Sequence, residues 1–182
     1  LKGRAQGEAD MTTITITAAH IAADGQRTWG DQIVGLQHKK IKVAKGVIYA
    51  FTGLAPMFDP MVAWHAAGAK PEKLPHGAGD DKHGGWTLIV VDRDGVGKYT
   101  SSCPYIERFD PPVAFGAGQD YAIGAMWHGA SAAEAVRLVA DNTNHTGGDI
   151  QVVDIARALG LAPLPGEGQT YIPHPDKPDK FL

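Results

Sequence analysis

The chain has 182 residues, 43% of them hydrophobic and 20% charged, a composition that fits one globular domain with a large core and excludes a disordered or fibrous chain. A formal net charge of -3, with no Lys/Arg run longer than the Lys39-Lys40 pair, lacks the electrostatic footprint of a nucleic-acid or anionic-membrane binder. Cys103 is the only cysteine, so neither an internal disulfide nor a paired-cysteine zinc framework is available. No window approaches the roughly 20 apolar residues that span a bilayer, and residues 1–10 lack the apolar stretch of a secretory signal; a cytoplasmic protein in a reducing compartment is expected.

After ten polar, Gly/Ala-rich residues, Met11 introduces Thr-Thr-Ile-Thr-Ile-Thr-Ala, whose period-two alternation predicts a half-buried strand. His20 to Ala23, ended by Asp24-Gly25, predicts an antiparallel neighbour. Lys39 to Val43 and Val47 to Thr52, joined by Ala44-Lys45-Gly46, read as a hairpin. Between Gly53 and Ala69, Met57, Met61, Val62 and Trp64 fall at helical spacing behind Pro56, so a helix is expected there. Lys70 to Gly85 is rich in Gly, Pro, Asp and His and reads as a surface loop.

Strands follow at Trp86 to Asp92, Gly97 to Ser101 and Val113 to Gly116, the first two joined through Asp94-Gly95. Gln119 to His128 and Ser131 to Asn142 have apolar faces, and Ser131 with Glu134 makes a capping box for the second helix. Asp149 to Val153 returns to a strand, Ile155 to Leu161 reads as a last helix, and the Pro/Gly-rich residues 163–182 form a tail. Strands, a helix, strands again, then two helices and a strand is the segregated order of an α+β fold with antiparallel sheets. The expected division is an N-terminal extension at 1–11, one domain at 12–162 and the tail.

A threonine hydroxyl is a poor nucleophile without a base, and a threonine at the start of a chain carries its own in its α-amine, with a reference pKa of roughly 7.7 to 8.0. A lysine ammonium nearby lowers that pKa further, and a carboxylate would hold the lysine. The chain supplies these types in order. Met11-Thr12-Thr13-Ile14 opens a strand, Ala22-Ala23-Asp24-Gly25-Gln26 ends the next, His38-Lys39-Lys40-Ile41 opens another, and Phe51-Thr52-Gly53 leads into a helix. Gly116-Ala117-Gly118 with Tyr121, Gly129-Ala130-Ser131 with Glu134-Ala135, and Thr146-Gly147-Gly148 continue the series.

From about Thr12 to about Val153 this order resembles the mature β-subunits of the bacterial HslV peptidase and of proteasomes. The resemblance implies a four-layer αββα sandwich and an N-terminal threonine peptidase. Thr12 would be the nucleophile and its amine the general base; Lys40 would tune the amine, Asp24 would hold Lys40, and the backbone at Thr52 and Gly53 would donate to the oxyanion. It implies unfolded polypeptide as substrate, a homo-oligomeric double ring, an ATPase unfoldase as a possible partner, and no metal or organic cofactor. A small-amide hydrolase on the same fold and an inactive ring subunit are the alternatives.

The chain departs from the family pattern in several places. Ala117 replaces the serine of a Gly-Ser-Gly, so a hydroxyl near the nucleophile's amine is missing. Thr143 stands where proteasome subunits tend to carry an acid, with Asp141 two residues earlier. Ala50 occupies the place that would shape the substrate pocket, and the first hairpin is shorter than in the family. Met11 precedes Thr12, so the chain as written is expected to be inactive. Either translation begins at Met11 and trimming exposes Thr12, or a propeptide is removed; Met11 in place of a glycine favours the first.

Taken singly, other residues read more plainly. Gly116 to Gly118 is helix-start geometry rather than a phosphate turn, and His65, His76, His83 and His128 are surface histidines without metal-ligand spacing. Met57, Met61 and Trp64 are core or helix-packing residues, Trp127 is a packing or interface residue, and Cys103 is a buried or incidental thiol.

Overall fold

A computed structural model of the chain describes residues 12–29, 32–78, 85–161 and 171–172. The N-terminal extension with Met11, His83 and most of the C-terminal tail lie outside the described residues.

One five-stranded antiparallel sheet contains β1 (Thr13–Ile16), β2 (His20–Ala23), β10 (Val113–Gly116), β11 (Ile150–Asp154) and β12 (Tyr171–Ile172), in the order β10-β1-β2-β11-β12. A second, in sequential order, contains β5 (Ile41–Ala44), β6 (Val47–Thr52), β7 (Thr87–Asp92), β8 (Gly95–Thr100) and β9 (Cys103–Phe109). The two N-terminal hairpins therefore belong to different sheets. Between them β3 (Arg27–Trp29) and β4 (Gln32–Gly35) form a separate two-stranded ribbon. Alternation did not reveal this ribbon, nor β9, whose Pro104 and run of exposed side chains mask a strand period.

The sheets pack face to face through Ile14, Ile16, Ile21 and Val153 of the first and Ile41, Ile48, Ile89 and Val91 of the second. Helix α1 (Phe58–Ala66) covers the outer face of the second sheet, with Met61 and Trp64 packed against Tyr49, Leu88 and Tyr99. Helices α2 (Gln119–Trp127) and α3 (Ala132–Asn142) cover the first, where Ala132 and Val136 meet Ala22 and Ile150. The result is a four-layer αββα sandwich, each sheet covered on both faces because each lies between a sheet and helices.

This layering corrects the half-buried reading of β1. Thr13, Ile14, Thr15 and Ile16 are all buried: the isoleucines face the other sheet, and the threonines face the helices with their hydroxyls satisfied. Thr15 Oγ1 donates to Ala132 O at 2.8 Å, and Thr13 Oγ1 shares a hydrogen bond of 2.6 Å with Thr146 Oγ1.

Local signals placed the remaining elements. Lys45 and Gly46 both have positive φ, 51° and 71°, the conformation of a tight two-residue turn between β5 and β6. Ser131 Oγ accepts from Glu134 N–H, and Glu134 Oε2 accepts from Ser131 N–H, completing the capping box of α3. The last helix, α4 (Ile155–Ala158), is a single turn capped by Asp154, shorter than the apolar pattern implies. Within the expected tail, Tyr171–Ile172 pairs antiparallel with Ile150 and Gln151. His65 is half-buried rather than on the surface, Trp127 is 72% exposed and so is not a core residue, and Cys103 is exposed.

Candidate active site

Asp24 follows β2 at the point where Gly25 turns the chain. Gly25 N–H donates to Gly147 O, and Gly25 O accepts from His38 N–H, which draws the segment carrying Lys40 and the loop after α3 onto the Asp24 carboxylate. The carboxylate is fully buried. Its Oδ1 accepts from Thr13 N–H and from Lys40 Nζ, both at 2.9 Å; its Oδ2 accepts from Gln26 N–H at 3.2 Å and Gly147 N–H at 3.4 Å. Burial pushes the Asp24 carboxyl above its ordinary value, and the Lys40 ammonium with the N–H groups of Thr13 and Gly147 pulls it back. All four partners are donors, so the anion is the form the site accommodates: a neutral carboxyl would need an acceptor for its own proton.

Lys40 is 5% exposed and precedes the edge strand β5. Two 2.9 Å bonds meeting at one oxygen hold its Nζ within about 6 Å of the Thr13 nitrogen, beside the Thr12–Thr13 peptide. Lys40 O accepts from Phe51 N–H at 3.3 Å, so the Thr52-Gly53 turn begins one residue beyond the strand position bonded to Lys40. Thr52 is buried and Gly53 exposed, which brings the chain out to the surface at this turn.

Thr12 is 8% exposed. Its carbonyl accepts from Ala117 N–H at 2.9 Å, against the turn that ends β10. Gly116 makes that approach possible: φ is 94°, and a Cβ there would lie 1.9 Å from Thr12 O. One residue on, the Thr13–Thr146 hydroxyl pair ties β1 to the loop after α3. The carbonyl of Thr12, the N–H of Thr13 and the side chain of Thr13 are therefore each anchored by a different segment.

The structure thus gathers Thr12, Asp24 and Lys40, with Thr52 and Gly53 joined to them through Phe51. Ala50, expected to shape a substrate pocket, instead lies in the core between the two sheets, because its side chain points to the opposite face of β6 from that of Phe51. Thr143 donates its hydroxyl to Val139 O at the end of α3, and Ala117 contributes only its backbone N–H. Sequence reasoning missed Thr146, Gly147, Gln26 and Gln151 as parts of the site. The Thr146-Gly147-Gly148 motif is the available signal for the first two; it carries part of the family resemblance, but no site role is assigned to it. Among the described residues, no group of three His, Cys, Asp or Glu side chains is arranged to hold a metal ion. A cavity of about 350 Å³ between β8, β10 and α2, lined by Lys98, Phe109, Phe115, Ile123 and Trp127, includes none of the five expected site residues.

Two face-to-face antiparallel sheets between helical layers are the fold of the N-terminal nucleophile hydrolases of the HslV and proteasome type. No protein-family profile and no curated protein sequence matches the chain. Among solved structures, it is similar to Thiobacillus denitrificans BPH in complex with epoxomicin, with a TM-score of 0.58 and 21% identity over 78% of this chain and 95% of that one. A second structure of Thiobacillus denitrificans BPH aligns with a TM-score of 0.56 and 19% identity, again covering 78% of this chain and 95% of that one. Eukaryotic HslV from Trypanosoma brucei gives a TM-score of 0.56 and 17% identity over 79% of this chain and 98% of that one. At these identities the likeness is one of fold.

Proposed function

We propose that the chain is a threonine peptidase whose active form begins at Thr12. The observation that carries this reading is the convergence of Thr13 N–H and Lys40 Nζ on one oxygen of the buried Asp24, which sets a fixed positive charge beside the backbone of Thr12. In this sequence the Thr12 nitrogen is an amide of Met11; cleavage of that bond converts it to an amine. The Lys40 ammonium then disfavours the charged amine, leaving it neutral and able to accept a proton near neutral pH.

Thr12 Oγ1 attacks the scissile carbonyl carbon as its proton passes to the α-amine. The oxyanion is met by N–H groups of the Thr52-Gly53 turn. As the tetrahedral intermediate collapses, the protonated amine returns its proton to the leaving nitrogen and an ester to Thr12 remains; water, deprotonated by the same amine, then cleaves the ester. Unfolded polypeptide is the proposed substrate, the proposed assembly is a homo-oligomeric double ring, and an ATPase unfoldase is its proposed partner. Two of the neighbours named above, BPH with epoxomicin and HslV, support this reading.

The test uses protein that begins at Thr12. Peptide hydrolysis and a mass increase on incubation with epoxomicin are expected, both lost in Thr12→Ala, together with a ring-sized mass in native mass spectrometry. Undiminished hydrolysis by Thr12→Ala refutes the mechanism. Cleavage of small amides but not of peptides, by a small oligomer, assigns the site to amide hydrolysis instead. A ring that neither hydrolyses peptides nor takes the label is an inactive subunit, the outcome that the missing hydroxyl at Ala117 favours.

A further inference from the structure

Among the described residues, strand β5 lies at the end of its sheet, so one of its edges has no neighbouring strand there. Ile41 and Ala50 are Cα partners, while the adjacent Lys40 O accepts from Phe51 N–H. In an antiparallel ladder this makes Ile41 a residue whose N–H and C=O both point away from β6, toward the open edge. The side chain of Gln151 meets them there. Its Oε1 accepts from Ile41 N–H at 3.0 Å and from Lys40 N–H at 3.1 Å, and its Nε2 donates to Ile41 O at 2.8 Å. One carboxamide thus offers an acceptor and a donor in the spacing of a peptide group and stands in for the missing strand.

Gln151 comes from the other sheet. It lies on β11, and its Cα partner on β2 is Ala23, the residue before Asp24. A single side chain therefore connects the strand neighbouring Asp24 to the main chain of Lys40, the two residues whose side chains meet at 2.9 Å. We propose that Gln151 is a positioning residue: its carboxamide fixes the Lys40 backbone at the sheet edge, and so fixes where Nζ sits relative to Asp24 and the Thr12 amine. The role rests on Lys40 acting as proposed above. Without the bridge, Lys40 Nζ moves away from the amine on average, and the amine holds its proton to higher pH.

The experiment compares protein beginning at Thr12 with its Gln151→Leu and Gln151→Met variants, which remove the carboxamide while keeping much of its volume. The expected result is a fall in kcat of about tenfold with KM within about twofold, and a shift of the acidic limb of the pH-rate profile upward by about half a unit to one unit. The backbone amides of Lys40 and Ile41 lose hydrogen-exchange protection. An unshifted limb overturns the proposal, whether or not the variants melt at lower temperature, because a purely structural role changes stability without changing the amine. Protected Lys40 and Ile41 amides in the variants, or failure of both variants to fold, overturn it as well. Lys40→Ala separates this inference from the reading beneath it: if that variant hydrolyses peptides like the parent, both fall, whereas a silent Lys40→Ala beside an unshifted Gln151→Leu removes only the role of Gln151.

Discussion

Gly116→Ala puts the anchoring of Thr12 to a direct test. The new Cβ would lie 1.9 Å from Thr12 O and 2.9 Å from Thr12 C, where ordinary contact begins at 3.4 Å, so β10 must retreat from Thr12 by about 1 Å or more. A side chain held at φ 94° adds about 1–3 kcal/mol. Loss of the Ala117 N–H bond to Thr12 O adds about 0.5–1.5 kcal/mol. A combined loss of about 1.5–4.5 kcal/mol lowers the melting temperature by roughly 3–18 °C in a domain of this size. Gly46→Ala is the control: φ there is 71° and nothing lies within 4 Å of the added Cβ, so only the backbone cost of about 1–2 kcal/mol applies. A displacement of about 1 Å at a nucleophile costs on the order of a hundredfold in rate. Thermal melts and peptide hydrolysis of protein beginning at Thr12 should therefore separate the two variants: Gly46→Ala loses some stability and keeps its rate, and Gly116→Ala loses more stability and about a hundredfold in kcat. Equal rates in the two variants would refute the claim that the Gly116 turn positions Thr12.

Asp24→Asn replaces one acceptor oxygen by an NH₂ among four donors and leaves the buried Lys40 without its counter-charge; a loss of about 3–5 kcal/mol in denaturant unfolding is expected, with activity abolished. Thr146→Val removes the partner of the buried Thr13 hydroxyl, and about 1–3 kcal/mol should be lost in the same assay. His65 shares a hydrogen bond of 3.1 Å with Tyr49 OH, and burial lowers its pKa, with Arg108 also lowering it and Asp92 opposing. The stability this neutral imidazole contributes is complete above the unfolded value of about 6.5 and is lost as pH falls below it, so melts from about pH 7.5 to 5 should show a decline that is shallower in His65→Gln.

Much of the fold was legible because its signals are local. The Thr-Ile alternation of β1, the turn chemistry of Lys45-Gly46 and the Ser131-Glu134 cap act within a few residues, and the structure places strands and helices where they indicate. The order of strands and helices specified an α+β chain. The family resemblance, carried by the order of short local motifs, pointed to Thr12, Asp24 and Lys40 as members of the proposed site. Burial was not legible in the same way: β1 has the pattern of a one-sided strand, yet both of its faces are covered, because a threonine hydroxyl can be buried when another segment supplies its partner.

The sequence by itself determined most of the segments that extend, turn or coil, though not the β3–β4 ribbon or β9, and which side chains carry reactive groups. Only the tertiary structure decided that the two N-terminal hairpins belong to opposite sheets, that Ala50 faces the core and that Gln151 reaches Lys40 from a strand 111 positions away. The physical reason is that hydrogen bonds between segments depend on register and on which face each strand turns inward, and neither is encoded in spacing along one segment. The same holds for Asp24: its type and its turn are local, whereas its charge state depends on donors from Thr13, Lys40 and Gly147 that meet only in the folded chain.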